Sequence, residues 1–128
     1  MPKSINSKSE QGFFVQNTTS SHTWSADEPT ELEGTNLGPT PKELLLSSLS
    51  SCIAITLRMY AKRKEWDLGE ISINLEMIEE EAQTVIFKSI DFSNKTLDQK
   101  QIQRLLDISN RCPVVKMLRQ DILFQFKK

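Results

Sequence analysis

The longest apolar pattern in the chain runs from about Pro41 to Glu65 and predicts a helix. Thr40 is a suitable N-cap, Pro41 suits the first helical position, and Glu43 follows three residues after the cap, as in a capping box. Apolar side chains occupy nearly every face of the first four turns, which is typical of a buried helix rather than a surface helix. We therefore expect a long, buried central helix.

This predicted helix carries more apolar surface than one small sheet can cover. Its first turns also contain serines, whose small side chains would let a second backbone approach closely: Ser47, Ser48, Ser50 and Ser51. Both features favour an obligate homodimer, whose interface would bury more than roughly 2,000 Å².

Alternating apolar and polar positions predict two pairs of strands. Gly12 to Thr18 and the segment leading to the acidic turn Asp27-Glu28-Pro29 predict the first pair. Leu68 to Met77 and Thr84 to Phe92 predict the second pair. One face of the Thr84 to Phe92 strand holds Ile86, Lys88, Ile90 and Phe92.

Helical patterns return near the C-terminus. Leu97 to Asn110 predicts an amphipathic helix, Cys112-Pro113 begins a short helix through about Arg119, and Ile122 to Phe126 predicts a closing strand. The order β-β-α-β-β-α-α-β is typical of an α+β fold with an antiparallel sheet. We expect a flexible N-terminus over residues 1–10 and a single domain over residues 11–128.

Charge and composition exclude several classes of partner. The formal net charge of −1 argues against nucleic acid or an anionic membrane as the main partner. We expect no apolar run long enough to span a bilayer and no signal peptide at the N-terminus. The expected location is therefore cytoplasmic, where a disulfide is more often catalytic or redox-sensing than structural.

The chain has two cysteines, Cys52 inside the long helix and Cys112 at the start of the short one. Their spacing excludes a compact metal knuckle and a C-x-x-C redox motif. Three readings remain open: two inert buried thiols, a structural disulfide, or a nucleophile with a resolving thiol. Cys112 has the better local chemistry, because a helix N-terminus and the adjacent Arg111 favour a thiolate.

His22, the only histidine, is expected to be a solvated loop residue rather than a base or ligand. Two cysteines and one histidine at this spacing match no known zinc knuckle, so we expect no metal and no other cofactor.

Several motifs together resemble the OsmC/Ohr family. They are the D-E-P turn, the G-P-x-P-x-E-L-L-L start of the long helix, a cysteine in mid-helix, and a late I-x-x-x-C-P-V segment. In this chain they span residues 22 to 118 and occur in the family's order. The resemblance implies an OsmC-like α+β fold that forms an intertwined homodimer, with central helices buried between two sheets.

The same resemblance implies a thiol peroxidase that acts on organic hydroperoxides. Cys52 would be the peroxidatic thiol, Cys112 the resolving thiol, and a cellular dithiol the reductant. The characterised peroxidases place a carboxylate where this chain has Lys42, one residue before Glu43. They also use an arginine from the N-terminal strands, whereas no arginine precedes Arg58 here.

Supporting residues for the thiolate are therefore sought among Glu43, Arg58 and Arg111. The alternative function is that of an OsmC-like stress-associated or ligand-binding protein with little or no peroxidase activity. In that case the aromatic residues would wall a pocket for a small apolar ligand: Phe13, Phe14, Trp24 and Trp66.

Overall fold

Two antiparallel sheets and three α-helices make up the fold in the computed structural model, which describes residues 3–127. The elements are β1 (Asn6–Lys8), β2 (Val15–Thr18), β3 (Thr23–Ala26), a 3₁₀ turn (Thr30–Leu32), α1 (Pro41–Lys64), β4 (Ile71–Glu79), β5 (Thr84–Phe92), α2 (Gln99–Ser109) and α3 (Pro113–Leu118). The predicted α+β class with antiparallel strands and one long helix is confirmed. The chain divides into two compact units, one up to Leu45 and one from Leu46 onward.

The first unit contains a three-stranded sheet in the order β1-β2-β3. Val15 pairs with Ala26 across β2 and β3, as the sequence pattern predicted for a hairpin. β1 lies within the stretch for which we expected flexibility, and its Asn6 pairs with Thr18 of β2. Such a short polar edge strand leaves little trace in a hydrophobic pattern, because hydrogen bonds hold it. They include the backbone ladder and a bond that the Ser7 hydroxyl donates to the Asn17 side-chain oxygen at 2.6 Å.

The buried carboxylate of Asp27 organises the loop that follows β3. Its Oδ2 atom accepts hydrogen bonds from the Thr35 hydroxyl at 2.5 Å and the Leu37 N–H at 3.1 Å, and its Oδ1 atom accepts one from the Glu28 N–H at 2.7 Å. The Thr35 hydroxyl is the main reason that the pKa of Asp27 is lowered, and burial acts against it. The predicted D-E-P turn is thus the anchor of a longer loop.

The start of α1 is fixed by the predicted capping box. The Thr40 hydroxyl accepts a hydrogen bond from the Glu43 N–H at 3.2 Å, and a Glu43 carboxylate oxygen accepts one from the Thr40 N–H at 2.9 Å. The helix ends at Lys64, and the next residue, Glu65, has a positive φ of 58°, the left-handed conformation common after a helix. There the Trp66 N–H donates to the Ala61 carbonyl at 2.9 Å.

One stripe of α1 forms part of the core of the second unit. Leu49, Ile53 and Leu57 are buried there, together with Leu68 and residues of β5 and α2. Within the single chain, β4, β5 and α2 cover only this stripe, so burial of the other faces of α1 in a homodimer stays a prediction. Exposed apolar residues of α1 include Leu45, Ile55 and Met59.

By length and composition alone, α1 is long and apolar enough to cross a membrane. The expectation that no run of the sequence reaches this length was therefore wrong. The buried stripe shows that α1 also has the packing of an ordinary core helix.

β4 and β5 form the sheet of the second unit, with Ile73 opposite Ile90 and Leu75 opposite Lys88. The predicted alternation is confirmed, because Ile71, Ile73, Leu75 and Met77 are each less exposed than their neighbours in β4.

The predicted closing strand, Ile122 to Phe126, is not formed, and these residues adopt neither helix nor strand. Its aromatic side chains Phe124 and Phe126 are 88% and 102% exposed. The sequence has the composition of a strand, but a strand exists only with a hydrogen-bonded neighbour, and none lies beside this segment within the described chain.

Candidate active site

The fold of the second unit brings Cys52 and Cys112 together. Cys52 lies between the buried residues Leu49 and Ile53 at the edge of the α1 stripe, and it is half-buried rather than in the core as predicted. Cys112 is 0% exposed and belongs to the core cluster. No disulfide joins them, and both are free thiols. A solvent-borne reagent therefore has access to Cys52 but not to Cys112.

Cys112 is held in place as the N-cap of α3. Its Sγ atom accepts a hydrogen bond from the Val115 N–H at 3.4 Å, and Pro113 fills the first turn, where no N–H is needed. α2 ends just before, with Asn110 as its C-cap, so a very short connection positions the thiol.

The acidity of Cys112 reflects its burial and its neighbour. Burial is the main cause that raises the pKa of the Cys112 thiol, and the Val115 N–H opposes it. A hydrogen bond to the Cys52 side chain and the charge of Cys52 raise this pKa further. The pair thus holds one negative charge more readily than two, and Cys112 keeps its proton when Cys52 is ionised.

Lys88 of β5 is a cation that interacts electrostatically with Cys112. It lies on the apolar face of the strand and was not among the predicted site residues. Its ammonium group donates a hydrogen bond to the Asn110 side-chain oxygen. Burial and the charge of Arg119 lower the pKa of Lys88, whereas the negative charge of Cys112 raises it. Burial keeps the pKa of Cys112 itself raised.

The three residues predicted to support the thiolate have other surroundings. Glu43 is engaged in the capping box of α1. The Arg58 guanidinium donates to the Gly69 carbonyl oxygen at 2.7 Å, which ties α1 to the start of β4. The Arg111 side chain is exposed, and its backbone N–H donates to the Ile108 carbonyl at 2.9 Å.

His22 lies exposed in the turn between β2 and β3, where its carbonyl accepts from the Thr19 N–H at 2.8 Å. Among residues 3–127, no three His, Cys, Asp or Glu side chains are grouped to hold a metal ion.

The aromatic residues near the N-terminus line a separate feature within the first unit. Phe13, Phe14 and Leu37 form the apolar part of an open groove of about 640 Å³, and Lys8 and Glu10 lie at its edge. Trp66, in the second unit, instead packs edge-on against Tyr60 with ring centroids 5.6 Å apart.

Comparison with known proteins identifies the class. The family described as OsmC-like protein matches residues 34–127. The chain therefore belongs to the OsmC-like family, as the sequence motifs predicted. No curated protein matches the sequence.

Solved structures of this family share the fold. The OsmC-like protein from Mycoplasma pneumoniae superposes with a TM-score of 0.74 at 18% identity, over 93% of this chain and 88% of that chain. The organic hydroperoxide resistance protein OhrB of Bacillus subtilis gives 0.67 at 15% identity, over 93% and 91%. An organic hydroperoxide resistance protein OsmC from Legionella pneumophila gives 0.66 at 16% identity, over 93% and 90%.

Proposed function

We propose that this protein reduces organic hydroperoxides through a thiol–disulfide cycle of Cys52 and Cys112. The observation that carries the proposal is the direct interaction of two free thiols, one accessible and one buried at a helix cap. Two of the structural relatives are described as organic hydroperoxide resistance proteins, which points to the same class of substrate.

The cycle assigns the first step to Cys52. Its thiolate attacks the distal peroxide oxygen, the O–O bond breaks, and the leaving alkoxide takes a proton to become an alcohol. Cys52 becomes a sulfenic acid. The half-buried position of Cys52 allows the hydroperoxide to reach it, whereas Cys112 has no exposed surface.

Cys112 then acts as the resolving thiol. Its sulfur attacks the sulfenic sulfur, an S–S bond forms, and the hydroxyl group leaves as water with the proton of Cys112. A dithiol reductant restores both thiols by exchange and is itself oxidised to a disulfide. We propose a cytoplasmic location, where such dithiols are kept reduced.

We also propose that the active form is a homodimer. Large apolar side chains are exposed in the single chain on α1, on β5 and in the C-terminal segment, and they include Ile55, Met59, Phe87, Leu123 and Phe124. A second copy of the chain would cover such surface. Sedimentation at low micromolar concentration should show a dimer, and a stable monomer would contradict this part of the proposal.

Counting free thiols tests the cycle directly. We expect a small excess of cumene hydroperoxide to remove both thiols of the wild-type protein together, and dithiothreitol to restore them. A Cys52→Ser variant provides the control and should keep its one thiol under the same treatment. Wild-type protein that keeps both thiols and consumes no hydroperoxide would reject the enzymatic function.

The second candidate function is binding of a small apolar ligand without turnover. It is favoured by the groove beside Phe13 and Phe14, and by the sequence, in which no arginine precedes Arg58. Titration with a fluorescent fatty acid separates the two functions: saturable binding that Phe13→Ser abolishes, with both thiols inert to hydroperoxide, would establish the binding protein.

A further inference from the structure

Lys88 occupies a position that the strand pattern gives to the core. On the same face of β5 lie Ile86, Ile90 and Phe92, and all three pack in or against the core cluster. Its partner across the ladder, Leu75, packs there as well. The Lys88 side chain itself remains exposed, and its partial burial against these residues is the main cause that lowers its pKa.

The ammonium group of Lys88 is fixed at the segment that carries Cys112. It donates to the side-chain oxygen of Asn110, the C-cap of α2, which lies two residues before Cys112. Arg119, the C-cap of α3, adds a second positive charge that acts on Lys88. The α2–α3 connection therefore carries both the buried thiol of Cys112 and the oxygen that accepts from the Lys88 ammonium group.

We propose that Lys88 is a positioning residue for the reductive half of the cycle: its ammonium group stabilises Cys112 as the leaving thiolate, so that the dithiol reductant attacks Cys52. This inference rests on the proposed function. It also uses the exposure of the two sulfurs, because a reductant reaches the half-buried Cys52 and not Cys112.

The exchange balances in two steps. A thiolate of the reductant attacks the Cys52 sulfur, the Cys52–Cys112 bond breaks, and the electron pair passes to the Cys112 sulfur. The second thiol of the reductant then attacks the first reductant sulfur, which is bonded to Cys52 in the mixed disulfide. This step releases Cys52 as a thiolate and the reductant as a cyclic disulfide. Cys112 finally takes a proton from solvent. Lys88 acts in the first step, where the negative charge on Cys112 appears.

Lys88→Met tests this role, because methionine has a similar length and no charge. The Cys52–Cys112 disulfide is formed with diamide, and its reduction by dithiothreitol is followed by stopped flow. We expect Lys88→Met to slow reduction by about threefold or more, since a leaving thiol with a higher pKa leaves more slowly. Lys88→Arg should restore most of the rate, and Lys100→Met, an exposed lysine of α2, should match wild type.

A second readout separates electrostatics from packing. In a Cys52→Ser background, the ultraviolet absorbance of the Cys112 thiolate gives its pKa, and Lys88→Met should raise this pKa. If Lys88→Met does not fold, Lys88→Gln replaces it. An unchanged pKa, or equal slowing of oxidation and reduction, would overturn the proposal. Failure of wild type to consume hydroperoxide would reject the proposed function instead, because diamide forms the disulfide without it.

Discussion

The backbone N–H of Val115 donates a hydrogen bond to the sulfur of Cys112 at 3.4 Å, so one atom is both the cap of α3 and half of the thiol pair. This double use limits which replacements of Cys112 are informative. A serine keeps an acceptor at the cap, whereas an alanine removes it. Serine variants therefore separate the chemistry of the thiol from the stability of the helix.

Cys112→Ser should permit one oxidation of Cys52 and block turnover. The sulfenic acid formed on Cys52 then has no second thiol to condense with, and a dimedone-type probe should label it. Mass spectrometry of the labelled peptide is the measurement. Cys52→Ser, treated in parallel, should show no label and no activity. A label on Cys112 in that control would show that Cys112, and not Cys52, attacks the peroxide.

The acidity of Cys112 should depend on Cys52. Cys52→Ala removes a hydrogen bond and a charge that both raise the pKa of Cys112, so this pKa should fall in the variant. Thiolate absorbance against pH measures the change. A rise in pKa would show that the two thiols do not interact as described.

Glu43 should act in stability rather than in catalysis. Its carboxylate accepts the Thr40 N–H in the capping box, so Glu43→Ala should lower the free energy of unfolding by roughly 0.5–1 kcal/mol. Glu43→Gln retains an acceptor oxygen and should unfold at nearly the wild-type denaturant concentration. Loss of hydroperoxide turnover in a well-folded Glu43→Gln protein would instead show that the carboxylate has a catalytic role.

The free energy of unfolding should decrease at acidic pH because of Asp27. Its folded-state pKa is lowered, mainly by the Thr35 hydroxyl, so the ionised form is favoured in the folded state. Its stabilising contribution is therefore complete above the unfolded-state pKa of about 3.9, and is lost as the pH falls through the lower folded-state pKa.

Denaturation curves across this acid range provide the measurement for Asp27. Asp27→Asn should be less stable than wild type at neutral pH, and the difference should shrink in acid. Thr35→Val, which removes the strongest hydrogen bond to the carboxylate, should show a weaker form of the same behaviour. A constant difference at all pH values would mean that the charge of Asp27 contributes nothing.

Local signals in the sequence predicted most of the elements. The T-P-K-E motif located the first turn of α1, because both hydrogen bonds of a capping box lie within four residues. The predicted bounds Thr84–Phe92 are likewise those of β5, a run rich in β-branched and aromatic residues. Cys112-Pro113 marked the start of α3, because proline suits only the first turn of a helix.

The remaining features depend on groups that are distant in the sequence. The segment Ile122 to Phe126 has strand composition, but its state is decided by the presence of a pairing neighbour. Arg58 was a candidate for stabilising the thiolate, and its hydrogen bond to the Gly69 carbonyl is visible only in the three-dimensional structure. Lys88 carried a signal that was visible in the sequence, a charge on an apolar strand face, but its relation to Asn110 requires the fold.

Because the sulfur that caps α3 is also half of the proposed disulfide, the stability of the helix cap and the reduction potential are thermodynamically linked. Whatever part of the cap's free energy is lost on oxidation makes the disulfide a stronger oxidant by the same amount. A weak sulfur acceptor contributing about 0.5 kcal/mol would raise the reduction potential by about 10 mV. Six residues of helix thus act as a small, built-in bias toward the dithiol state.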